Sequence, residues 1–480
     1  MRNHARTLTV LAAALAVVAC EPEENPTTPV VQPPSESRVE HKDGFITDAP
    51  LQAEFGPGYS GEMLALATVD DVMPGGAQLA GTLDGIGIWG RGRYLNLMVN
   101  HEISGAARVS RMKIDTKTQT IVDHSYVIDG SEGYSRLCSA EWVDARDGFP
   151  GRGYFFTGEE TADGLQLAID ARGNVTELPH IGRYAHENQI SVPGFRRNVV
   201  VLNFDDRGTS SSSPLNDPDN GAESELYMYV GRTSRDVLHG RGQLYVFASD
   251  DQPNVRGLTP GQQIRGYWIP VPDEIAQDAD ALSAWVDEPE HQAFGFARLE
   301  DGFYDKRKGV RGAGAFFFDT GDGDLVTDGE SWDAWGSIYH IGWEDSRNPS
   351  GAVTLTMLDR SNGPTSGWAS PDNGDMNSLG HIMLQEDRAN GPWEREPRIW
   401  RLQLSGTSLS LGAPEHVVSI VNPDPDDDPT DVWGWESSGI VDVSEWAGPG
   451  SWIFDVQAHS IAAESSPGDG GQLIAMKLGN

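Results

Sequence analysis

The sequence predicts an all-β protein, built as an irregular β-propeller with long inserted loops. About a dozen short β-type runs are separated by Gly, Asp, Asn and Pro. The chain contains 56 Gly and 29 Pro, which favour turns between short strands over long helices. Helical periodicity is scarce, and its best example, residues 273–288, predicts one amphipathic helix. Uneven spacing without a recurring repeat favours irregular blades over a regular repeat or a compact sandwich.

The predicted strands follow from the apolar runs themselves. Several of them alternate apolar and polar residues, which is typical of strands with one face on a core. In chain order the runs are "RYLNLMVN", "GYFFTG", "NVVVLNF", "ELYMYVG", "GQLYVFAS", "GAFFFDT", "SIYHIGW", "VTLTMLD", "HIMLQED", "RIWRLQL", "SWIFDVQ" and "GQLIAMKLG".

The first 44 residues predict export and anchoring. Residues 1–19 combine a basic start with an apolar run that is too short to span a membrane, which indicates a signal peptide. Its end, "VVAC", is similar to the lipobox of bacterial lipoproteins, in which the cysteine, here Cys20, is lipidated. The alternative is an ordinary secretory signal with a cysteine near its cleavage site. Residues 20–44, rich in Pro and Glu, predict a disordered tether, and residues 45–480 predict one propeller-like domain.

The net charge of −37 constrains the partners. Such a surface repels nucleic acid and anionic lipid, so we expect membrane contact only through the N-terminal lipid. Because Glu21 replaces the aspartate that commonly retains lipoproteins at the inner membrane, the expected location is the bacterial outer membrane, facing the periplasm or the surface. A small anionic ligand can still bind where bound metal ions supply local positive charge.

Carboxylates recur where predicted strands end. Each pair alone is compatible with a solvated turn. In a propeller, however, the strand ends of every blade meet at the central channel, and carboxylates gathered there require cations such as Ca²⁺ or Fe³⁺. The residues concerned are His101 and Glu102, Glu159 and Glu160, His186 and Glu187, Asp205 to Arg207, Arg298 with Glu300 and Asp301, and Glu386 to Arg388.

Several chemistries are disfavoured because their motifs are absent. The sequence has no G-x-S-x-G, G-x-x-x-x-G-K-[ST], H-E-x-x-H or C-x-x-C, which argues against a serine hydrolase of that type, an NTPase and a zincin. If Cys20 is lipidated, Cys138 is left without a disulfide partner. A lone cysteine is either an inert core residue or a thiolate held by a metal.

A series of segments occurs in this order along the chain: "NHE", "SRLCSAEW", "GEET", "ELPHIGRYAHEN", "FDDRGTSS", "FARLEDG", "SPDNGDMNSLGHIMLQEDR" and "WESSGI". Taken in order, these segments resemble the PhoX-type alkaline phosphatases. The resemblance spans about residues 98–460 and implies a six-bladed propeller. It also implies a site with two ferric ions and calcium, and hydrolysis of small phosphate monoesters outside the cytoplasm.

The resemblance also implies roles for individual residues. Cys138 matches an iron ligand, and Arg298 matches a clamp on the phosphate oxygens. His101, Glu102 and His186 are expected to lie behind the ligands and to orient them. The remaining ligands divide into iron or bridging residues, Glu187 and Glu300, and calcium or shared residues, Glu159, Glu160, Asp206, Glu386 and Asp387.

The chain also departs from the family pattern, which leaves two further hypotheses. Gly158 stands where the better-known enzymes have cysteine, and Leu299 stands where they have proline. The second hypothesis is a calcium-dependent propeller hydrolase acting on phosphodiesters, phosphotriesters or lactones. The third is a non-catalytic binding lipoprotein stabilised by calcium. Only Cys138 and Arg298 discriminate among the three within the sequence, and they favour the phosphatase.

Overall fold

The computed structural model contains far more antiparallel strand than helix. It describes residues 47–207, 224–288, 290–291, 293–308, 310, 313–322, 333–388, 393–423 and 431–479, all within one unit, Val39–Asn480. The expected signal peptide, Cys20 and the tether lie outside these residues. None of the helices in the described ranges has the length and apolar character needed to cross a membrane.

The strands, in chain order, are β1 (Ala53–Phe55), β2 (Gly61–Thr68), β3 (Leu83–Arg91), β4 (Tyr94–His101), β5 (Arg108–Asp115), β6 (Thr120–Ile128), β7 (Leu137–Val143), β8 (Tyr154–Glu159), β9 (Gln166–Asp170), β10 (Val175–Glu177), β11 (His186–Ser191), β12 (Val199–Asp205), β13 (Ser224–Gly231), β14 (Gln243–Ala248), β15 (Gln263–Pro270), β16 (Gly295–Phe296), β17 (Leu299–Tyr304), β18 (Gly314–Asp319), β19 (Ser337–Trp343), β20 (Val353–Arg360), β21 (Pro371–Met376), β22 (His381–Glu386), β23 (Arg398–Gln403), β24 (Glu415–Ile420), β25 (Ile440–Asp442), β26 (Ser451–Ala462) and β27 (Asp469–Leu478). The helices are α1 (Ser234–Leu238), α2 (Asp273–Ala276), α3 (Ala279–Val286) and α4 (Ser444–Ala447).

The strands form a propeller-like, all-β arrangement, as the sequence predicts. Four sheets have four or five strands each: β3–β6, β7–β10, β21–β24 with β1, and β25–β27 with β2. The strands from β11 to β20 form one ten-stranded sheet, which joins its two halves through β15 and β20. The division into sheets therefore does not by itself show the six blades that were predicted.

One strand from each of the four smaller sheets and two strands from the ten-stranded sheet form a closed ring. Strands β3, β7, β11, β17, β21 and β25 contact one another in that order, and β25 contacts β3; we call these six strands the inner ring. The N-terminal strand β2 pairs with the C-terminal strand β27, and β1 pairs with β24. Pairing of the two chain ends closes the arrangement and covers edges that would otherwise be exposed.

The cores lie between neighbouring sheets. Phe156 of β8, for example, packs with Val201 of β12 and Tyr227 of β13, all of them fully buried. This packing explains why the apolar runs of the sequence coincide with strands: each of the predicted runs contains one. None of these runs is a strand of the inner ring.

The helix predicted over residues 273–288 is two helices instead. The side chain of Asp278 accepts a hydrogen bond from the backbone N–H of Ala281 at 2.9 Å, which caps the start of α3. Asp278 itself has an extended backbone, so α2 ends before it. The amphipathic character is as expected, since Leu282 and Val286 are buried in the same core as Ile275.

Five strands of the inner ring begin with the same β-bulge. From its first to its fourth residue, each of these strands advances by three positions, while the strand paired with it advances by only two. The inner-ring strand therefore holds one extra residue. We call the second positions the upper layer and the third positions the lower layer. The pairs are Asp84 and Gly85, Cys138 and Ser139, Glu187 and Asn188, Glu300 and Asp301, and Asp372 and Asn373.

Gly85 is the lower-layer position without a side chain, and we expect Gly85→Ala to destabilise the protein. A Cβ there would lie 2.4 Å from the backbone nitrogen of Ala140 and 2.5 Å from the carbonyl oxygen of Cys138. Because backbone must move, we expect the free energy of unfolding to fall by about 3 kcal/mol, measured by urea denaturation. Gly367→Ala is the matched control, since a Cβ there has nothing within 4 Å; equal losses in both variants would contradict the packing argument.

Candidate metal centre

The upper layer brings acidic and thiol groups from five strands to one end of the inner ring. Its members Asp84, Cys138, Glu187, Glu300 and Asp372 are between 3% and 8% exposed. Burial of so many ionisable groups is unfavourable unless cations or protons neutralise them. The common bulge explains the convergence, because a bulge redirects the side chains at its position.

A second set of side chains joins them from the neighbouring strands. Glu102, Glu160, Asp206 and Asp387 each follow directly after the last residue of a second strand, β4, β8, β12 or β22. Their backbone N–H groups make the same bond in each sheet, to the carbonyl two positions before the upper-layer residue. The distances are 2.8 Å to Thr82, 2.8 Å to Arg136, 2.9 Å to Ala185 and 3.1 Å to Ser370, respectively.

Within the described residues, three overlapping groups could each hold a metal ion. Their ligand atoms lie within 4.8 Å of one another. Cys138 belongs to two groups and Glu187 to two, so adjacent sites would share ligands. The groups are Asp84, Glu102 and Cys138; Cys138, Glu160 and Glu187; and Glu187, Glu300 and Asp372.

Cys138 supplies the sulfur atom in two of these groups. Its Sγ donates a hydrogen bond to Oε2 of Glu160 at 3.0 Å. Burial, and then the charge of Glu102, raise the pKa of the Cys138 thiol well above its usual range. A thiol in such negative surroundings is a poor nucleophile, and a bound cation is the agent that would stabilise its thiolate.

The carboxyl groups show the same effect. Burial, and then the negative charge of Asp206, raise the pKa of Glu187 to about 8. Burial is also the largest cause of the raised pKa values of Asp84, Glu300 and Asp372, and the neighbouring carboxylates add to it. Glu187 nevertheless accepts hydrogen bonds from Ser139, including one from Oγ at 2.8 Å, which fixes its position.

Two arginines occupy equivalent positions beside the carboxylates. Arg298 donates from Nε to Asp206 at 2.9 Å and lies 3.1 Å from Glu300. Arg136 contacts Glu102 at 2.8 Å and also Glu160. Asp319 anchors the backbone of Arg298, because its carboxylate accepts the N–H groups of Ala297 and Arg298 at 2.9 Å each.

The structure brings together most of the ligands predicted from the sequence. Cys138, Glu160, Glu187 and Glu300 all belong to the three groups, and Asp206 adjoins them through Arg298. Glu102, expected behind the ligands, is itself a member of one group. Asp387 lies outside the groups, and its pKa is raised by burial and then by the charge of Glu436.

Two of the predicted ligands are engaged elsewhere. Glu386 is fully buried and bonded to Arg395 through both oxygens at 2.8 Å. Glu159 accepts the backbone N–H of Ser135 at 2.9 Å. Glu159 and Glu386 each end a strand, and of the residues that follow them Glu160 belongs to a ligand group and Asp387 does not.

The two histidines also have local partners. His101 contacts the carbonyl of Gly81 at 3.1 Å and Ser110 at 2.7 Å. His186 contacts the carbonyl of Gly182 at 3.2 Å. Burial lowers the pKa of each to about 3, so both are neutral. Neither hydrogen-bonds to a carboxylate of the three groups, within the described part of the chain.

For Glu386→Gln we expect loss of stability without loss of metal. The change removes the charge that pairs with Arg395, whose side chain is only 12% exposed, so the free energy of unfolding should fall by about 3 kcal/mol or more. Asp387→Asn, at the next residue, is the matched comparison and should lower the calcium content instead. Urea denaturation and elemental analysis measure the two effects. If the Glu386→Gln variant lost calcium, Glu386 would have to be a calcium ligand.

Several functional candidates are absent from the sequence-based set. Asp84 and Asp372 complete two of the groups, and Arg136 pairs with two of their members. Asp455 is fully buried, and neither of its carboxylate oxygens has a partner among the described residues. The available signal was an acidic residue followed by Gly or Asn, as in "LDG" and "PDNG", which is indistinguishable from a turn without the fold.

No protein-family model and no curated protein matches the sequence. Among solved structures, the chain is similar to Pseudomonas fluorescens PhoX in complex with vanadate, a transition state analogue. The TM-score is 0.63 with 12% identity, covering 90% of this chain and 98% of that one. This similarity shows a shared fold.

Two further structures are less similar. The parainfluenza virus 5 hemagglutinin-neuraminidase ectodomain has a TM-score of 0.40 and 8% identity, with 88% of this chain and 84% of that one covered. A thermostable family-43 glycoside hydrolase has a TM-score of 0.35 and 12% identity, with coverages of 73% and 97%. At these scores they carry no argument about this chain.

Proposed function

We propose that this protein is a metal-dependent hydrolase of small phosphate monoesters. The observation that carries the proposal is the upper layer of buried carboxylates and one thiol, together with Arg298 at its edge. The protein with the similar fold binds vanadate, a transition state analogue. Vanadate is an oxyanion, and an oxyanion can approach this acidic chain where cations are concentrated.

The residues present fit iron and calcium. Cys138, Glu160 and Glu187 combine one soft sulfur with hard oxygens, a donor set suited to iron, whereas Glu300 and Asp372 offer oxygens alone, which suit calcium. The unpartnered buried oxygens of Asp455 add to the demand for positive charge. When bound, the ions would neutralise phosphoryl oxygens and facilitate attack by water.

Arg298 has a defined task in this proposal. Its Nε donates to Asp206, and its Nη2 contacts both Asp206 and Glu300. Its other terminal nitrogen, Nη1, donates to no residue in the described ranges. In the proposed mechanism Nη1 donates a charge-assisted hydrogen bond to an oxygen of the phosphoryl group. Asp319 holds the backbone of Arg298 and thereby limits where the guanidinium can lie.

The same proposal covers the architecture and the location. We propose six blades, with the ten-stranded sheet divided where β15 pairs with β20, because each half then contributes one inner-ring strand, β11 or β17. We further propose export, lipidation at Cys20 and attachment to the outer membrane, as the N-terminal sequence predicts. A small phosphate ester would then be met outside the cytoplasm.

The test is to measure metals and hydrolysis in the same purified protein. We expect iron and calcium by elemental analysis, and faster hydrolysis of p-nitrophenyl phosphate than of bis(p-nitrophenyl) phosphate. Arg298→Gln should lower kcat/KM by about 100-fold, whereas Arg347→Gln, at a position 74% exposed, should leave it unchanged. Calcium without iron would overturn the iron assignment, and hydrolysis of the diester alone would favour a calcium-dependent propeller hydrolase. Absence of turnover on both esters would favour a non-catalytic protein.

A further inference from the structure

A second candidate site lies farther along the same inner-ring strands. A cavity of about 170 Å³ is lined by residues from the fourth position onward, including Trp142 of β7, Tyr304 of β17 and Asp375 of β21. The upper-layer residues precede these positions on the same strands. Asn188 and Asp301 of the lower layer, joined by a hydrogen bond, also line the cavity. The cavity is therefore distinct from the candidate metal centre.

The interior of this cavity carries excess negative charge. Its lining holds six carboxylates and two cations, which leaves a formal charge of −4. Lys306 pairs with Asp375, whose other oxygen accepts the backbone N–H of Asp442 at 2.9 Å. Glu141 and Asp147 have no ion-pair partner among the described residues.

Each of these two carboxylates has a single hydrogen-bond donor within the described part of the chain. Glu141 accepts the backbone N–H of Ser191 at 2.8 Å, and Oδ2 of Asp147 accepts that of Asp144 at 2.8 Å. Asp147 is only 8% exposed, and its Oδ1 is buried without a partner among the described residues. Burial, and then the charge of Asp147, raise the pKa of Glu141 well above its usual range.

The other charged groups around the cavity already have partners. Arg146 and Glu445 pair at 3.0 Å and are more than half exposed. Asp301 accepts the N–H of Gly374 at 2.9 Å in addition to its bond from Asn188, and Asp442 accepts that of Ser444 at 3.0 Å. Arg146 therefore cannot neutralise Glu141 or Asp147 without giving up its pair with Glu445, and the other groups are carboxylates themselves.

The walls of the cavity distinguish among possible cations. Trp142, Tyr304 and Trp446 line it, and such aromatic side chains can cover the apolar part of an organic cation. Among the described residues, the groups of three close metal-ligand atoms all belong to the candidate metal centre, and none includes Glu141 or Asp147. An oxygen without a donor requires an N–H or O–H group, which a primary ammonium supplies and a quaternary ammonium lacks.

We propose that this cavity binds a small organic cation through a primary ammonium group. Glu141 and Asp147 accept its N–H donors, and the aromatic side chains cover its apolar part. This site does not depend on the proposed phosphatase activity.

The test is calorimetric titration of the metal-replete protein with 1,4-diaminobutane, a small primary diamine. We expect saturable binding with a Kd below about 1 mM and weaker binding of choline, which has no N–H donor. Glu141→Gln keeps the acceptor for Ser191 but removes the charge, and it should weaken binding by at least about 10-fold. Glu344→Gln, the matched control at an exposed carboxylate that pairs with Arg265 outside the cavity, should change Kd by less than about twofold.

Thermal unfolding separates loss of the site from loss of the fold. Because Glu141→Gln removes a carboxyl group whose ionised form is destabilised by burial, its melting temperature should equal or exceed that of the parent protein. Three results would overturn the proposal: no saturable heat with the diamine, equal Kd values in Glu141→Gln and the parent, or a calcium site that Glu141→Gln abolishes in place of diamine binding. Each of these can be read without measuring hydrolysis.

Discussion

Cys138→Ala is expected to abolish iron binding and to lower phosphomonoester hydrolysis by more than about 100-fold, since changes to residues behind a metal's ligands alone cost 10- to 100-fold. Cys138 belongs to two of the three ligand groups, and its Sγ lies 3.0 Å from Oε2 of Glu160. No other cysteine occurs in the described residues. No second thiol is therefore available there to replace it.

The effect on folding should be small by comparison. In the metal-free protein the thiol contributes one hydrogen bond and a small buried volume, so chelated parent and variant should differ by about 1–2 kcal/mol in the free energy of unfolding. Elemental analysis, p-nitrophenyl phosphate hydrolysis and urea denaturation of chelated protein test the three expectations separately.

Cys138→Ser sharpens this test. Serine keeps a hydroxyl donor near Glu160 but offers a weaker ligand for iron, so it should behave like alanine in metal content. If both variants keep their iron and hydrolyse at the parent rate, Cys138 is an inert core residue. In that case the hydrolase would be one that uses calcium alone.

The sequence predicts the outer parts of this fold better than its centre. All of the predicted strands lie outside the inner ring, because they pack between sheets and carry the apolar residues that periodicity detects. The inner-ring strands read "LDGIGIWGR", "LCSAEWV", "HENQIS", "LEDGFY", "PDNGDM" and "IVD". Their polar side chains and bulges resemble turns, so the strands that build the site give the weakest signal.

The same reasoning explains which site residues were found. Glu102, Glu160 and Asp206 follow apolar strands that are easily recognised, so acidic residues after them attract attention. The local sequence does not distinguish the two residues of an acidic pair at a strand end. They differ by only one position, and the fold determines which of them lies beside the other ligands. Asp84 and Asp372 lie within strands that look like turns, and only the fold brings them to the other ligands.

Removal of metal is expected to make stability depend strongly on pH. In the metal-free protein the folded-state pKa of Glu187 is about 8, above its ordinary value of 4.5. The folded state therefore holds a proton that the unfolded state releases more easily. The stability associated with this proton is fully present below about pH 4.5 and is lost as the pH rises through about 8.

The direction is the same for the other upper-layer carboxyl groups, so they contribute to the pH dependence with the same sign. Asp84, Glu300 and Asp372 also have raised pKa values from burial and mutual repulsion. We expect chelated protein to lose several kcal/mol of its free energy of unfolding between pH 5 and pH 8, because one unit of pKa shift corresponds to about 1.4 kcal/mol. Added calcium and iron should reverse the loss, since bound cations favour the ionised groups.

Urea denaturation at pH 5, 6.5 and 8, with and without chelator, measures this coupling between protons and metals. Glu187→Gln should flatten the pH dependence of the chelated protein, because the amide does not titrate, and should weaken metal binding in the untreated protein. Glu344→Gln, an exposed carboxylate paired with Arg265, is the matched control and should do neither. Chelated parent protein that is equally stable at pH 5 and pH 8 would mean that the buried carboxylates are neutralised within the protein itself, and the case for a metal centre would fail with it.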